Sequence, residues 1–481
     1  MVYRYHDVVQ IGRPQGKEMK TPIRFDDSLP AFAALVKSSW GEAALAKNLF
    51  LRDASGQLTF VLLSDLHSQD ERTILAGHAI DELGAYVDKN GFAIATPDEL
   101  FDERLNEADG AIRLEISHNL FNGVVNLVDR RMVGADWLRK PLPSSGSPAR
   151  FVFASVKGGV GRSTALCVLA AELASKGRRV LAIDLDLEAP GLGNLLLPND
   201  TLPEYGLLDY LVELEGGNPL DDDFFVDIVG PSWVGGGRGR VDVIPAIGKR
   251  SLRNPANVLS KLARAYLAGY GTNGETLTFS DHMAALVGKF ADSRRYDAVL
   301  VDARAGLHET TAAAVIGLGA EVLLFGLDQP QTFAGYELLF AHLGTLPMGV
   351  SEEWKSRLHI VQAKAPLDPK MRSNFTERME SLRDKYLARP TRQLAVDIDP
   401  TTLKDTFDVE WTGDSSSEVE ILPETDMPIT FAIQDDDRFR SFDPETHRNI
   451  LTTPAYLDSF GELIGAANEI VDALIDDVER G

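Results

Sequence analysis

A glycine-rich loop, KGGVG at residues 157–161, constrains the fold more than any other stretch of the sequence. The apolar run Phe151–Val156 before it predicts a buried strand, and Ser163–Lys176 after it predicts a helix that ends at Gly177. The next apolar run, Arg179–Ile183, predicts a second buried strand. Strand, glycine loop, helix and strand in this order are typical of a βαβ unit that holds phosphate groups.

The residue types in and after this loop suit phosphate chemistry. Its glycines let the backbone turn tightly and aim several N–H groups at one anion, and the following helix adds the positive end of its dipole. Ser163 offers a hydroxyl to Mg²⁺. The loop departs twice from the pattern G-x-x-x-x-G-K-[ST], because Arg162 replaces the lysine and Val156 replaces the first glycine.

The loop also carries a family resemblance. KGGVGRST resembles the deviant Walker A motif, KGGxGK[ST], of the ParA/MinD-like ATPases, which are P-loop proteins of the SIMIBI class. Three further segments resemble that family in the expected order: DLDLEAP at Asp184–Pro190 for switch I, YDAVLVDARAG at Tyr296–Gly306 for the Walker B strand and switch II, and VLLFGLDQPQTFAG at Val322–Gly335 for the strand and turn that follow. Within the family the chain is similar to a subgroup with arginine in the P-loop and D-x-R-x-G in switch II. The resemblance is good over residues 150–346, weak beyond them and absent before Pro148.

The resemblance implies an α/β fold with a mostly parallel, doubly wound sheet of the P-loop NTPase type. At 481 residues the chain is long enough for two or three domains. The patterns favour a smaller α+β domain of unknown role over residues 1–140, a linker (PLPSSGSP) over 141–148, and the ATPase domain over 149–481. Residues 412–428 are polar, acidic and bounded by proline, so we expect an acidic loop near them.

Two later stretches allow more than one interpretation. Trp233–Arg240, WVGGGRGR, is similar to a second glycine loop, but a strand at Val241–Pro245 follows it rather than a helix, so we expect a hairpin or surface turn. Tyr456–Val478 predicts a helix with an acidic polar face. We expect this helix to pack on the core rather than lie on anionic lipid.

The resemblance implies ligands for ATP and Mg²⁺, residue by residue. Ser163 is expected to bind the ion directly, Asp302 to hold it through water, and Asp184 to support the metal site. Thr164 is expected to bond a phosphate oxygen. The implied phosphate cradle comprises Gly158, Gly159, Val160, Gly161, Arg162, Ser163 and Thr164.

The implied catalytic residues are Lys157, Asp186 and Asp302. Asp186 is expected to help orient the attacking water. Lys157 is expected to reach across a dimer interface to the partner's phosphates, where a cation offsets charge on the transferred phosphoryl group.

Two arginines depart from the common pattern of the family. We expect Arg162 to preserve nucleotide binding, since a guanidinium group can bind two phosphate oxygens as a fork. Whether the chain hydrolyses ATP fast with arginine at this position is not set by the sequence. Arg304 leaves two roles open, an ion pair with Asp302 or Glu309 and a contact with phosphate.

The charge balance limits the choice of partners. A net charge of −24 repels nucleic acid and anionic lipid at long range, so strong non-specific DNA binding is not expected. The best candidate for a local basic patch is Lys249–Arg264, which is either an anion contact or a solvated helix face. The single cysteine, Cys167, fits a reducing cytoplasm, and we find no pattern of a signal peptide or membrane span.

The leading interpretation is a cytoplasmic, Mg²⁺-dependent ATPase with slow turnover that dimerises on binding ATP. It would control a protein partner or an assembly, with residues 1–140 as the candidate contact region. The alternative is a nucleotide-binding scaffold without turnover in a bacterial signalling or defence-type system. A DNA partition ATPase fits less well because the chain is acidic. A ligase of the related amidase/synthetase branch also fits less well, because we find no Cys-His arrangement for glutamine hydrolysis in the sequence. The pathway, the base contacts and the oligomeric state without nucleotide are not set by the sequence.

Overall fold

The computed structural model describes residues 23–63, 67–89, 91–108, 110–215, 220–235, 237–270, 276–292, 294–346, 353–387 and 430–480. The chain divides into two compact units between Arg131 and Met132. The acidic loop expected near residues 412–428 lies outside the described residues.

The first unit combines helices with a mixed sheet. Its helices are α1 (Phe25–Trp40), α2 (Glu42–Lys47) and α3 (Gln69–Leu83), and its strands are β1 (Leu49–Arg52), β2 (Leu58–Val61), β3 (Ile94–Ala95), β4 (Ile112–Ser117) and β5 (Asn122–Asp129). The strand order is β3-β2-β1-β5-β4, in which β1 and β5 are parallel and two hairpin pairs are antiparallel. Phe32, Phe50 and Phe60 meet in its buried core.

The second unit begins with a segment, residues 132–143, that we call the strap. Trp137 of the strap is buried, the Gly134 N–H donates to Glu309 Oε2 at 2.8 Å, and the Leu142 N–H donates to the carbonyl of Ile316 at 2.8 Å. The boundary placed near residue 140 from the sequence therefore falls inside the second unit, because these contacts tie the strap to it.

The second unit is built on an eight-stranded sheet. The strands are β6 (Ala149–Ser155), β7 (Arg179–Asp184), β8 (Gly230–Pro231), β9 (Arg240–Ile244), β12 (Ala298–Ala305), β13 (Glu321–Gly326), β14 (Leu358–Ala365) and β15 (Thr430–Gln434), and a separate small pair consists of β10 (Gly269–Tyr270) and β11 (Thr276–Leu277). The order is β15-β14-β13-β6-β12-β7-β9-β8, and every neighbouring pair is parallel except β8 with β9. The expected mostly parallel sheet is confirmed, and so is the hairpin around WVGGGRGR.

Helices cover both faces of this sheet. They are α4 (Arg162–Ser175), α5 (Leu192–Leu196), α6 (Leu207–Glu215), α7 (Asp222–Asp227), α8 (Lys249–Arg253), α9 (Val258–Ala265), α10 (Phe279–Asp292), α11 (Glu309–Ile316), α12 (Pro330–Leu343), α13 (Pro369–Leu387) and α14 (Thr453–Arg480). Phe151 and Phe153 of β6 pack with α4 and α14 on one face, and Val152 and Ala154 pack with α6 and α10–α13 on the other. Burial on both faces explains why these strands are continuous apolar runs in the sequence.

The last helix, α14, packs its apolar side on the core, as its spacing predicted. Tyr456, Phe460, Ile464 and Val471 are all buried against the face that α4 covers. Across the described residues, we find no helix with the length and apolar character needed to cross a bilayer.

Candidate functional site

The glycine loop leads from the end of β6 into the first turn of α4. Gly159 and Gly161 have φ angles of +74° and +92°, a region that residues with a Cβ rarely adopt. Gly161 directly precedes α4 and accepts the N–H of Ala165 at 2.9 Å, so the loop passes into the helix without a side-chain cap. The open N–H groups of this helix start face the carboxyl edge of the sheet, where open α/β sheets bind ligands.

Ser163 and Asp302 meet beside this loop. The Ser163 hydroxyl donates to Asp302 Oδ2 at 2.5 Å, and Asp302 is 2% exposed. Its other oxygen, Oδ1, is buried without a hydrogen-bond partner among the described residues. Burial raises the pKa of Asp302 to about 6, while the charge of Arg162 opposes the rise.

This pair fits a bound Mg²⁺. An unpartnered carboxylate oxygen next to a hydroxyl is a hard oxygen donor set, and Mg²⁺ usually takes only one or two protein ligands beside water and phosphate. The described residues contain no group of three or more His, Cys, Asp or Glu side chains arranged to hold a metal by themselves.

Asp184 lies next to Asp302 on the neighbouring strand and organises the loop that follows β7. The two residues are paired in the parallel register of β7 and β12. Asp184 accepts the N–H groups of Asp186, Gly191 and Leu192 at 3.2, 2.9 and 3.0 Å. Burial, together with the Asp302 charge, raises the pKa of Asp184 to about 7. Asp184 thus fixes the loop that carries Asp186.

Arg162 is drawn to the acidic side of the site. Its guanidinium donates to the carbonyl of Ala303 and lies 3.8 Å from Asp186 Oδ2, and the residue is 8% exposed. Burial raises the pKa of Asp186, while Arg162 acts against that rise. The structure therefore brings Arg162, Ser163, Asp184, Asp186 and Asp302 together, as the resemblance implied.

The remaining cradle residues differ in what they present. The Lys157 ammonium donates to the side-chain oxygen of Gln329 at 2.9 Å and makes no ion pair within the described part of the chain. Val160 is 2% exposed and packs in the core, so only its backbone is open to a ligand. Thr164 is partly exposed on the first turn of α4.

Arg304 makes a contact that neither interpretation of the sequence included. Its guanidinium pairs with Glu188, not with Asp302 or Glu309. Glu188 also accepts the Tyr266 hydroxyl at 3.2 Å, whereas Glu309 accepts N–H groups from the strap. Glu188 and Tyr266 were missed because nothing in the local sequence shows that residue 266, at the end of α9, lies against the loop after β7.

A cavity of about 380 Å³ lies beside the glycine loop. One wall is the loop and the first turn of α4, and the other comes from the ends of β14 and β15 and the segment after β15. The second wall includes Lys364, Gln434, Asp435, Asp436, Phe439, Arg440 and Phe442. The sequence predicted both strands but no ligand contacts at their ends, because the two segments are about 70 residues apart and carry no motif.

The basic patch at residues 249–264 is paired only in part within the chain. Arg253 pairs with Glu204 at 2.8 Å, and Lys261 pairs with the buried Asp209. Lys249 and Arg264 make no ion pair among the described residues, so part of the positive charge stays available to an external anion.

Comparison with known proteins places these features in a family context. Residues 151–346 match the model of the CobQ/CobB/MinD/ParA nucleotide binding domain. Similar solved structures include a ParA family ATPase from Chlorobium tepidum TLS (16% identity, 68% of this chain and 99% of that one, TM-score 0.38). A second similar structure is the cell division ATPase MinD of Pyrococcus furiosus (16% identity, 67% of this chain and 99% of that one, TM-score 0.37). A third is apo McdA of Cyanthece (14% identity, 67% of this chain and 99% of that one, TM-score 0.40). No curated protein matches the chain.

Proposed function

We propose, from the match of residues 151–346 to the model of the CobQ/CobB/MinD/ParA nucleotide binding domain, that the chain is an ATP- and Mg²⁺-dependent switch that dimerises with bound nucleotide. Slow hydrolysis would return it to the resting state. Its output would be the control of a protein partner, with residues 1–140 as the candidate contact region.

The observation that carries this proposal is the contact between Ser163 and Asp302 at 2.5 Å, with Asp302 Oδ1 left unpartnered. When bound, Mg²⁺ would neutralise charge on the β- and γ-phosphate oxygens. Ser163 would hold the ion by its hydroxyl and Asp302 through water. Asp184 would support the metal site without contacting the ion, because it fixes the loop after β7 by hydrogen bonds.

The rest of the nucleotide has a place on each side of this pair. Backbone N–H groups of residues 158–164 would hold the phosphates at the start of α4. The 380 Å³ cavity would take the base and sugar, with Phe439 as a flat wall and Asp435 and Lys364 as polar contacts. In this proposal these side chains are the candidate base contacts, which the sequence left unassigned.

Hydrolysis depends on two side chains that contact each other in this structure. Asp186 would orient the attacking water. Arg162 would exchange its contacts with Ala303 and Asp186 for phosphate oxygens, which frees the Asp186 carboxylate for the water. An arginine that must leave a buried site is consistent with slow turnover.

Lys157 supports the dimer part of the proposal. Within the described residues its ammonium group bonds the neutral amide of Gln329 and makes no ion pair, so its charge is uncompensated in a strongly acidic chain. A cation at the mouth of the loop is suited to meet the phosphates of a second copy.

The same arginine favours a second candidate, a nucleotide-binding scaffold without turnover. If the buried contacts of Arg162 persist when ATP binds, Asp186 stays paired and no water is oriented. A DNA partition role is less favoured, because the net charge of −24 repels nucleic acid and the candidate basic patch is paired in part within the chain.

Calorimetric titration of ATP with and without Mg²⁺ tests the proposal. We expect Mg²⁺ to tighten ATP binding to the wild type, and Ser163→Ala to lose most of that gain while it still binds ATP alone. Ser373→Ala, an exposed serine on α13, is the control and should behave as the wild type. If Mg²⁺ tightens ATP binding equally in Ser163→Ala and in the wild type, the assignment of the metal site is wrong.

A further inference from the structure

A second cavity lies at the other end of α4, and the proposed function does not use it. Its volume is about 550 Å³, and it is lined by the last turn of α4, the turn before β9 and the start of α14. Because α4 has 14 residues, this cavity lies roughly 20 Å from the glycine loop at 1.5 Å per residue. The two cavities are therefore separate sites.

Positive charge dominates this second cavity. Arg238 and Arg448 both line it, and neither makes an ion pair within the described part of the chain. Glu172, one turn before Ser175 on α4, is already engaged: it lies 3.6 Å from the Lys176 ammonium and accepts the Tyr456 hydroxyl at 2.8 Å. Two unpaired guanidinium groups around one cavity stand out in a chain whose net charge is −24.

Trp233 lines the same cavity with its indole ring. The guanidinium of Arg448 lies 5.1 Å from the centroid of that ring. The cavity therefore joins an aromatic surface to a positive charge.

We propose that this cavity binds a small phosphate ester that carries a planar ring and is about the size of a mononucleotide. Two guanidinium forks balance a phosphate dianion and match its oxygens. The 28-residue helix α14 begins at Thr453 on the wall of the cavity and adds the positive end of its dipole. Trp233, Val234 and Leu451 give the ring an apolar surface, and the volume lies in the range of small-molecule sites.

The test uses AMP as the probe, on full-length protein whose first site is saturated with a non-hydrolysable ATP analogue and Mg²⁺. Calorimetry is expected to show one further AMP per chain. Inorganic phosphate and adenosine, titrated separately, are each expected to bind at least tenfold more weakly than AMP. If inorganic phosphate binds as tightly as AMP, the proposal that the ligand carries a planar ring is wrong. If adenosine binds as tightly as AMP, the proposal that the ligand carries a phosphate group is wrong.

Three variants locate the binding. The double variant Arg238→Ala/Arg448→Ala should weaken AMP binding by about ten- to a hundredfold. Trp233→Ala, which removes the ring surface, should weaken it by about three- to tenfold. Arg113→Ala removes an exposed arginine on β4 and should change nothing. Unchanged binding of the ATP analogue shows that each variant is folded. Absence of AMP binding to the blocked wild type, or equal affinity in the double variant, would overturn the proposal.

Discussion

Arg304, at the end of β12, forms an ion pair with Glu188 in the loop after β7. The pair joins the end of β12 to the loop after β7, because Asp302 lies two residues before Arg304 and Asp186 two residues before Glu188. The Tyr266 hydroxyl holds the other oxygen of Glu188 at 3.2 Å. The position of Asp186 therefore depends on contacts beyond its own strand.

Loss of this ion pair should slow ATP hydrolysis without affecting ATP affinity. Glu188→Gln keeps an acceptor for Tyr266 but loses the charge that holds Arg304. Both side chains are partly exposed, so the pair contributes at most about 1 kcal/mol, and we expect kcat to fall by no more than about fivefold. ATP affinity should stay within about twofold, since neither residue lines the phosphate cradle.

The matched control for this change is Glu337→Gln. Glu337 also accepts from a basic side chain and a tyrosine, Lys385 and Tyr386, but it lies on α12 away from the site. An equal loss of kcat in the two variants would mean that the Glu188 contact does not position the loop.

Much of the site could be predicted from the sequence, because its chemistry is local. The glycine spacing fixes the turn into α4, and apolar runs that end on Asp184 and Asp302 place both carboxylates at the same edge of a parallel sheet. The partner of Arg304 could not be predicted in this way. It depends on α9 folding back on the loop after β7, and that packing leaves no periodic signal.

Parts of the fold were missed for similar reasons. The sequence placed the domain boundary at the linker PLPSSGSP, residues 141–148, but the strap before it already belongs to the second unit. Trp137 is buried there, and Gly134 donates to Glu309. These long-range contacts leave no signal in the local sequence.

Asp186→Asn should separate binding from turnover. It removes the charge that orients water, so we expect hydrolysis to fall by about a hundredfold while ATP affinity stays within a few-fold of the wild type. Steady-state phosphate release and calorimetry measure the two quantities. Asp227→Asn, an exposed carboxylate on α7, is the control. A wild-type rate in Asp186→Asn would show that Asp186 does not have the proposed catalytic role.

Changes at Arg162 should distinguish the switch from the scaffold. Arg162→Ala removes a charge-assisted contact with phosphate and should weaken ATP binding by about ten- to a hundredfold. Arg162→Lys cannot form the same fork with Ala303 and Asp186, so we expect ATP binding to be kept and hydrolysis to be equal or faster. Hydrolysis that falls in Arg162→Lys would mean that the guanidinium itself is needed for turnover.

The strap should make stability depend on pH through Asp136. This carboxyl is fully buried, accepts the Ser280 N–H at 2.9 Å and lies 3.6 Å from Arg139, with Glu309 also near. Burial raises the pKa of Asp136 above its ordinary value of 3.8. The folded state therefore keeps the proton longer than the unfolded state, so the free energy of unfolding falls as pH rises from about 3.8 through the folded pKa.

Asp136→Asn tests this, because the amide does not titrate in that range and can still accept from Ser280. Urea unfolding between about pH 4 and pH 6 should show a steeper fall of stability in the wild type than in the variant. Parallel pH profiles for the two proteins would contradict the role of Asp136.

The mass of the protein in solution, measured by light scattering with and without a non-hydrolysable ATP analogue and Mg²⁺, tests the central claim most directly. The switch account predicts that the mass of the wild type doubles with the analogue, and that Lys157→Ala binds the analogue normally but keeps its nucleotide-free mass. Lys364→Ala, whose residue lines the base side of the cavity, should weaken nucleotide binding yet still dimerise at saturation. A wild-type mass that does not change with the analogue, or a Lys157→Ala variant that dimerises as the wild type does, would contradict the account.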